Sequence, residues 1–321
     1  GAVTANTANG AGLVGFADAS TITNCYSTGA VNAATGGGMV GSIGSPNTIT
    51  NSYWNKTTSD FTTSEGGMGH VNIKLGKKKT FQGWDFTNIW AIDEFVTYPY
   101  LQWQGGPSTN NNPPGDSPFN FVEDADLNKY GTINLGGSFW MDENLRTTKY
   151  TDGTAIPEVT DNATWNTFDN GARRCWYNND STNNAGTYGS LYSFFTIDPA
   201  TNGGKQLCPT GWHAATDSDW SSLITFLGTE GHTGAEEIAL KAQTGWNSGN
   251  GTDNYGFEAY PGGKRDSSMG DFVSFLVEGY WWGSESGADD ANEKIMASGS
   301  GVFSYPNSKR EGVSVRCVQD Y

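Results

Sequence analysis

The sequence predicts a mainly β fold in two parts: a β-solenoid-like repeat fragment, then an α+β domain. Three observations carry this. Glycine is very abundant, 44 of 321 residues, and aromatics make up 13%, with 12 tryptophans. So many aromatics exclude a disordered chain, and turn-rich polar sequence carrying them is the composition of exported all-β binding proteins. A stretch near the start repeats itself. Beyond residue 119 the texture changes, and one well-formed amphipathic helix is present.

The repeat comes first. "GLVGFADASTITNCYSTGAV" from Gly12 aligns with "GMVGSIGSPNTITNSYWNKT" from Gly38. Gly12/Gly38 and Gly15/Gly41 are 26 apart; Ile22/Ile49, Asn24/Asn51 and Tyr26/Tyr53 are 27 apart. "GAV" at Gly1–Val3 matches "GAV" at Gly29–Val31, so the chain is expected to begin inside a preceding copy. This period with short apolar stretches predicts stacked β-turn coils, with strands at Leu13–Phe16 and Thr21–Tyr26 in the first copy. Neither strand can bury a face alone, so the coils must stack. Aromatics in "WDFTNIWAIDEFVTYPYLQWQ" (Trp84–Gln104) are expected to cap the array. Residues 105–118, "GGPSTNNNPPGDSP", read as a linker stiffened by its prolines. The domains are therefore 1–104 and 119–321.

In the second part, "VEDADLNKYGTINLGGSFWMDENL" predicts a hairpin followed by another strand. "TDSDWSSLITFLG" (Thr216–Gly228) predicts a helix. Thr216 or Asp217 can N-cap it, Thr216 with Asp219 has the spacing of a capping box, and Trp220, Leu223, Ile224 and Leu227 make one apolar stripe. Gly228 is expected to end it. A second short helix is expected over Gly234–Ala242, and "GVSVRCVQDY" alternates as a terminal strand.

Charge narrows the function. Asp+Glu 34 against Lys+Arg 18 gives a net −16, which repels phosphate backbones and anionic membranes. No apolar run approaches the ~20 residues that span a bilayer. The four cysteines, Cys25, Cys175, Cys208 and Cys317, include no C-x-x-C pair, and three histidines argue against structural zinc.

Specific motifs point further. G-L-V-G followed by I-T-N-x-Y-S-T-G resembles the GLUG repeat of large bacterial surface proteins. "YGTINLGGSFWMDENLRTTKYTDGTAIPEVTDNATW", "CWYNND", "TYGSLYSFF", "LCPTGWHAATDSDWSSL", "GFEAYPGGKRD", "YWWGSES" and "VSVRCVQD" together resemble the Fibrobacter succinogenes major paralogous domain family over nearly all of residues 119–321. The match departs after the His of G-W-H, where the family's usual Pro is replaced by Ala (Ala214–Ala215). The resemblance implies a C-type-lectin-like fold, in which both ends of the domain meet in one sheet and the irregular second half carries the ligand surface. It implies that Cys208 and Cys317 could pair. Two free buried thiols remain the alternative, and Cys175 competes as a partner. Formylglycine-generating relatives hold copper with paired cysteines, but no such pair is matched here.

The expected function is an adhesin-like binding protein, secreted or on the bacterial surface and anchored through a region N-terminal to this chain, that recognises an extracellular protein or glycan. It is not expected to be an enzyme. The alternatives are a structural cap or assembly module of a surface structure and, behind it, an enzyme of the formylglycine-generating type. The candidate ligand face is the 283–310 loop, with Glu285, Asp289, Asn292, Phe303, Tyr305, Asn307 and Arg310. In "EGYWWGSESG" strand alternation separates the tryptophans, so Trp282 is expected in the core and Trp281 exposed beside that loop. Cofactors are not expected, although Asn178, Asp180 and Asn183 offer an oxygen set for Ca²⁺ against a solvated turn. "DADLNKYG" lacks the Gly and the final acid of a calcium loop and reads as a turn. His213 reads as a structural histidine.

Overall fold

The computed structural model describes residues 1–5, 9–105, 119–167, 171–299 and 301–320. Strands hold 31% of the chain and helices 18%, so the protein is mainly β. It divides into two compact units, Gly1–Asn120 and Phe121–Tyr321. The expected 105–118 linker lies outside the described residues except for Gly105. Phe119, expected to open the second domain, instead packs its ring edge-on to Tyr98 of the first unit at 5.1 Å.

In the first unit the sequence repeat becomes parallel pairing. Val14–Ala17 pairs with Val40–Ile43, Thr21–Thr23 with Thr48–Thr50, and Tyr26–Ser27 with Tyr53–Asn55. Val14 faces Val40, Ile22 faces Ile49 and Tyr26 faces Tyr53, so the pairing offset equals the sequence period. Val3 likewise faces Val31. Asn24 and Asn51 sit at equivalent corners with φ of 52° and 47°. Asn tolerates this left-handed conformation, which explains its recurrence there. Gly38 is fixed by close approach, because a Cβ would lie 1.9 Å from the Trp54 ring.

Two strand expectations shift. The strand expected at Leu13–Phe16 is Val14–Ala17, and the one expected at Thr21–Tyr26 breaks at the left-handed Asn24 into Thr21–Thr23 and Tyr26–Ser27. Ala17 is buried, while Leu13 and Phe16 are 45% and 61% exposed. A small side chain takes the inner position, and a one-residue shift exchanges the faces. The aromatics of the closing segment cluster: Trp84, Phe86, Trp90 and Tyr98 gather on Tyr26 and Tyr53. Trp84 and Trp90 centroids are 4.1 Å apart, and Trp84 Nε1 donates to the Asn51 carbonyl at 2.7 Å. Trp103 stands apart at 79% exposure.

The second unit is built on an antiparallel sheet. Its strands are β1 (Phe121–Glu123), β2 (Lys129–Leu135), β3 (Ser138–Met141), β4 (Trp212–Ala214) and, from the end of the chain, Cys317–Gln319. A second sheet holds β5 (Gly279–Glu285), β6 (Asp290–Met296) and β7 (Val302–Ser308). The terminal strand is thus β8. Among the described residues the sheets run β1-β2-β3-β8-β4 and β5-β6-β7. The two ends of the unit therefore share one sheet. The Asp124 carboxylate ties the β1–β2 turn, accepting from the Asp126 and Asn128 amides at 2.8 and 3.0 Å and from the Tyr130 hydroxyl at 2.6 Å.

The alternating segment that leads into β8 is interior on both faces. Residues 311–318 are buried throughout. Val313, Val315 and Cys317 enter the apolar core. The alternate residue Arg316 is buried too, because Nε donates to Asn144 Oδ1 (2.8 Å) and the two Nη donate to the carbonyls of Met141 (2.9 Å) and Glu258 (3.0 Å). A guanidinium can be interior when its donors are met. Cys208 and Cys317 form a disulfide with Cα atoms 6.0 Å apart, joining the approach to β4 to β8. Cys175 and Cys25 are free.

Three helices matter here: α1 (Ser181–Tyr188), α2 (Asp217–Leu227) and α3 (Glu236–Leu240). α2 has the predicted capping box, with Asp219 Oδ2 accepting from the Thr216 amide at 2.8 Å. Trp220, Leu223 and Leu227 are buried, and Ile224 is half-buried. α2 ends at Leu227 with Gly228 as its C-cap, as expected, but Gly228 keeps a helical φ of −62°, and the chain runs on into a wider turn over Gly228–His232 in which Gly231 leaves the helical region at φ 89°. Only glycine holds that conformation at little cost. α3 is shorter than the 234–242 expectation.

Candidate functional site

The expected ligand segment folds as the β5-β6-β7 sheet. β5 lies inside. Trp281 and Trp282 point to opposite faces, and both are interior, at 0% and 1% exposure. Trp281 Nε1 donates to Asn144 Oδ1 at 2.8 Å, and Trp282 Nε1 to the Tyr192 carbonyl at 2.7 Å. Trp282 is core, as expected. Trp281 is not the exposed aromatic: β5 is covered on its second face by Trp220, at 6.1 Å between centroids, and lies beside Ser314. Alternation separates two side chains, but packing decides whether either side meets water.

The other candidates divide. Phe303 and Tyr305 are 49% and 64% exposed and, two apart on β7, share one face. Glu285 is exposed, with its carboxylate 2.7 Å from Lys309 Nζ. Asp289 is exposed in the β5–β6 turn, and its carbonyl accepts from the Lys309 amide. Asn292 turns inward, donating to Asp217 Oδ2 at 2.5 Å beside the Lys294–Asp217 pair at 2.8 Å. It fastens β6 to the start of α2 and is not displayed. Asn307 is half-buried and donates to Glu293 Oε2 at 3.3 Å. Arg310 is half-buried after β7, its amide donating to Ser308 Oγ at 3.3 Å. The displayed set is therefore Phe303, Tyr305, Glu285 and Asp289.

Directly across from Tyr305, at Glu293 on β6, lies a charged cluster that sequence reasoning missed. Glu293, fully buried on β6, is 3.1 Å from Lys264 Nζ; Glu311, also buried, is 3.5 Å from the same ammonium. Lys264 lies 4.9 Å from the Tyr280 ring centroid. Burial pushes the Glu293 carboxyl up to about 7; Lys264 opposes this and Glu311 adds to it. Burial also raises Glu311. The lysine was visible in "GFEAYPGGKRD", but nothing in sequence brings it to residues 29 and 47 positions away.

A second acidic group is buried elsewhere: Asp142, Glu143 and Glu258 place one oxygen each within 4.8 Å of one another. Three carboxylates are an oxygen set that suits a hard cation. Here Arg146 Nη1 is 2.9 Å from Glu143, and Arg316 donates to the Glu258 carbonyl. Burial pushes Arg316 down to about 10.

In the Asn178–Asp180–Asn183 set, two members are bonded to each other at the start of α1. Asp180 caps α1, accepting from the Asn183 amide at 3.1 Å and its side chain at 2.6 Å. Asn178 is exposed in the left-handed region, φ 52°. His213 is bonded at both nitrogens, Nδ1 to Asp320 at 2.7 Å and Nε2 to Asp219 at 3.1 Å, and the Asp219 bond chiefly raises its pKa. Cys175 is fully buried, and burial pushes its thiol to about 12.

A mainly β unit tied by a disulfide, with both ends in one sheet and an aromatic edge strand displayed on a second sheet, is what fold and site define. Residues 133–319 match the Fibrobacter succinogenes major domain, and the chain belongs to that family. No curated protein and no solved structure matches it.

Proposed function

We propose that this chain is an extracellular, adhesin-like binding protein that meets a protein or glycan through the β7 face of its second unit. One observation carries the reading: Phe303 and Tyr305 are displayed side by side, while both tryptophans of the neighbouring β5 are buried. An exposed aromatic pair on one strand face suits stacking on a partner. The first unit is read as a GLUG-type solenoid serving as a stalk, which its parallel pairing at the repeat offset supports. The second is read as C-type-lectin-like, which the shared terminal sheet supports. Glycan and host-protein arrays test the reading with the full chain and a Phe303→Ala/Tyr305→Ala variant. Loss of a bound spot in the variant is expected; unchanged binding sinks the assignment of this face. An assembly module is the second reading. It would be favoured by self-association of the full chain that the same substitutions abolish.

A further inference from the structure

The Lys264 cluster holds one ammonium against two buried carboxylates. With Glu293 and Glu311 both ionised it carries one uncompensated negative charge away from water, and an unbalanced buried charge is strongly unfavourable. One proton kept between the two glutamates neutralises it. Every neighbouring element contributes to this environment. β5 brings Tyr280, whose hydroxyl bonds Glu278 and Ser274. β7 brings Tyr305, directly opposite Glu293, and Asn307, bonded to it. The 264–265 strand brings Lys264, and the segment after β7 brings Glu311, which also senses Asp266.

These walls differ in how easily they yield. β5 is interior and bonded to the 313–315 segment. β7 has one strand neighbour among the described residues, and residues 303–306 are exposed. Pro306 supplies no backbone donor to the ladder. Lifting β7 is therefore the least costly way to give Glu293 water.

We propose that Lys264, Glu293 and Glu311 form a proton-operated latch on β7: with one proton on the glutamates the strand lies closed on β6, and loss of that proton opens it. The sign follows from linkage. The closed state binds the proton more tightly than the open one, so its contribution to closure is complete below the ordinary carboxyl value of 4.5, falls as pH rises and is lost above about 7. Glu293 moves from an ordinary 4.5 to about 7. That shift limits the change in the opening equilibrium between pH 5.5 and 8 to about thirtyfold.

Hydrogen exchange on the full chain, with no ligand present, tests this apart from the binding reading. After correction for intrinsic rates, residues 302–308 are expected to open on the order of tenfold more at pH 8 than at pH 5.5. Residues 317–319 should change little. Glu293→Gln leaves Lys264 paired with Glu311 alone and should abolish the β7 response; Glu311→Gln should do the same from the other side, and serves if the first variant does not fold. The latch is overturned by a β7 response that is absent in the wild type, that persists in the folded Gln variants, or that β8 shares equally.

Discussion

Phe303 and Tyr305 are 49% and 64% exposed, so truncating them should shift unfolding free energy by about 1 kcal/mol or less, while removing the contact they make with a partner. Chemical denaturation beside the array measurement separates the two effects. Trp281 is the opposite case. Trp281→Ala should cost about 3–5 kcal/mol, because it opens a cavity and strips Asn144 of an indole donor. A loss below about 1 kcal/mol would contradict its interior placement. His213 is held by Asp219 and Asp320 with its pKa raised, so its contribution is complete below about 6.5 and fades as pH rises through the folded value. In Asp219→Ala the His213 titration followed by NMR should move back toward 6.5. No shift would mean the Asp219 contact is not formed in solution.

Among elements, α2 shows how local chemistry and tertiary context divide. Its N-terminus was legible: Thr216 and Asp219 sit at capping-box spacing and form the box. Thr216→Ala should lower stability by about 1 kcal/mol, read by thermal unfolding. Its end at Gly228 was legible as a position but not as a conformation, since Gly228 can accept either helical or left-handed φ and the helical one carries the chain on into the Gly228–His232 turn. The β5-β6-β7 sheet divides the same way. Alternation correctly put Trp281 and Trp282 on opposite faces, yet the cover supplied by Trp220 and Ser314 comes from 61 residues before and 33 after Trp281 in sequence. Local pattern cannot report such a neighbour. For the same reason Asn292 looked available for ligand but is committed to Asp217.

At the scale of the molecule, the Cys208–Cys317 bond encloses a sequence separation of 109. Loop-closure entropy for a span this long corresponds to about 4–5 kcal/mol. A Cys208→Ala/Cys317→Ala variant should lose stability of that order in denaturant, and reduced wild type should behave alike. A reductant effect absent from the wild type would argue that the bond does not form. Cys175 should stay silent to thiol reagents until the unit unfolds, since it is fully buried and its thiol is held at about 12.

The sequence by itself determined the elements whose causes are local or periodic. The repeat spacing carried the parallel register, Asn24 and Asn51 the coil corners, the capping box the start of α2, and the motif series the family. Tertiary structure alone decided which side chains reach water. It buried Trp281, turned Asn292 and Asn307 inward, left Phe303 and Tyr305 outside, and drew Lys264, Glu293 and Glu311 into one charged cluster. Exposure and charge pairing depend on segments far apart in the chain, and only the packed fold brings those segments together.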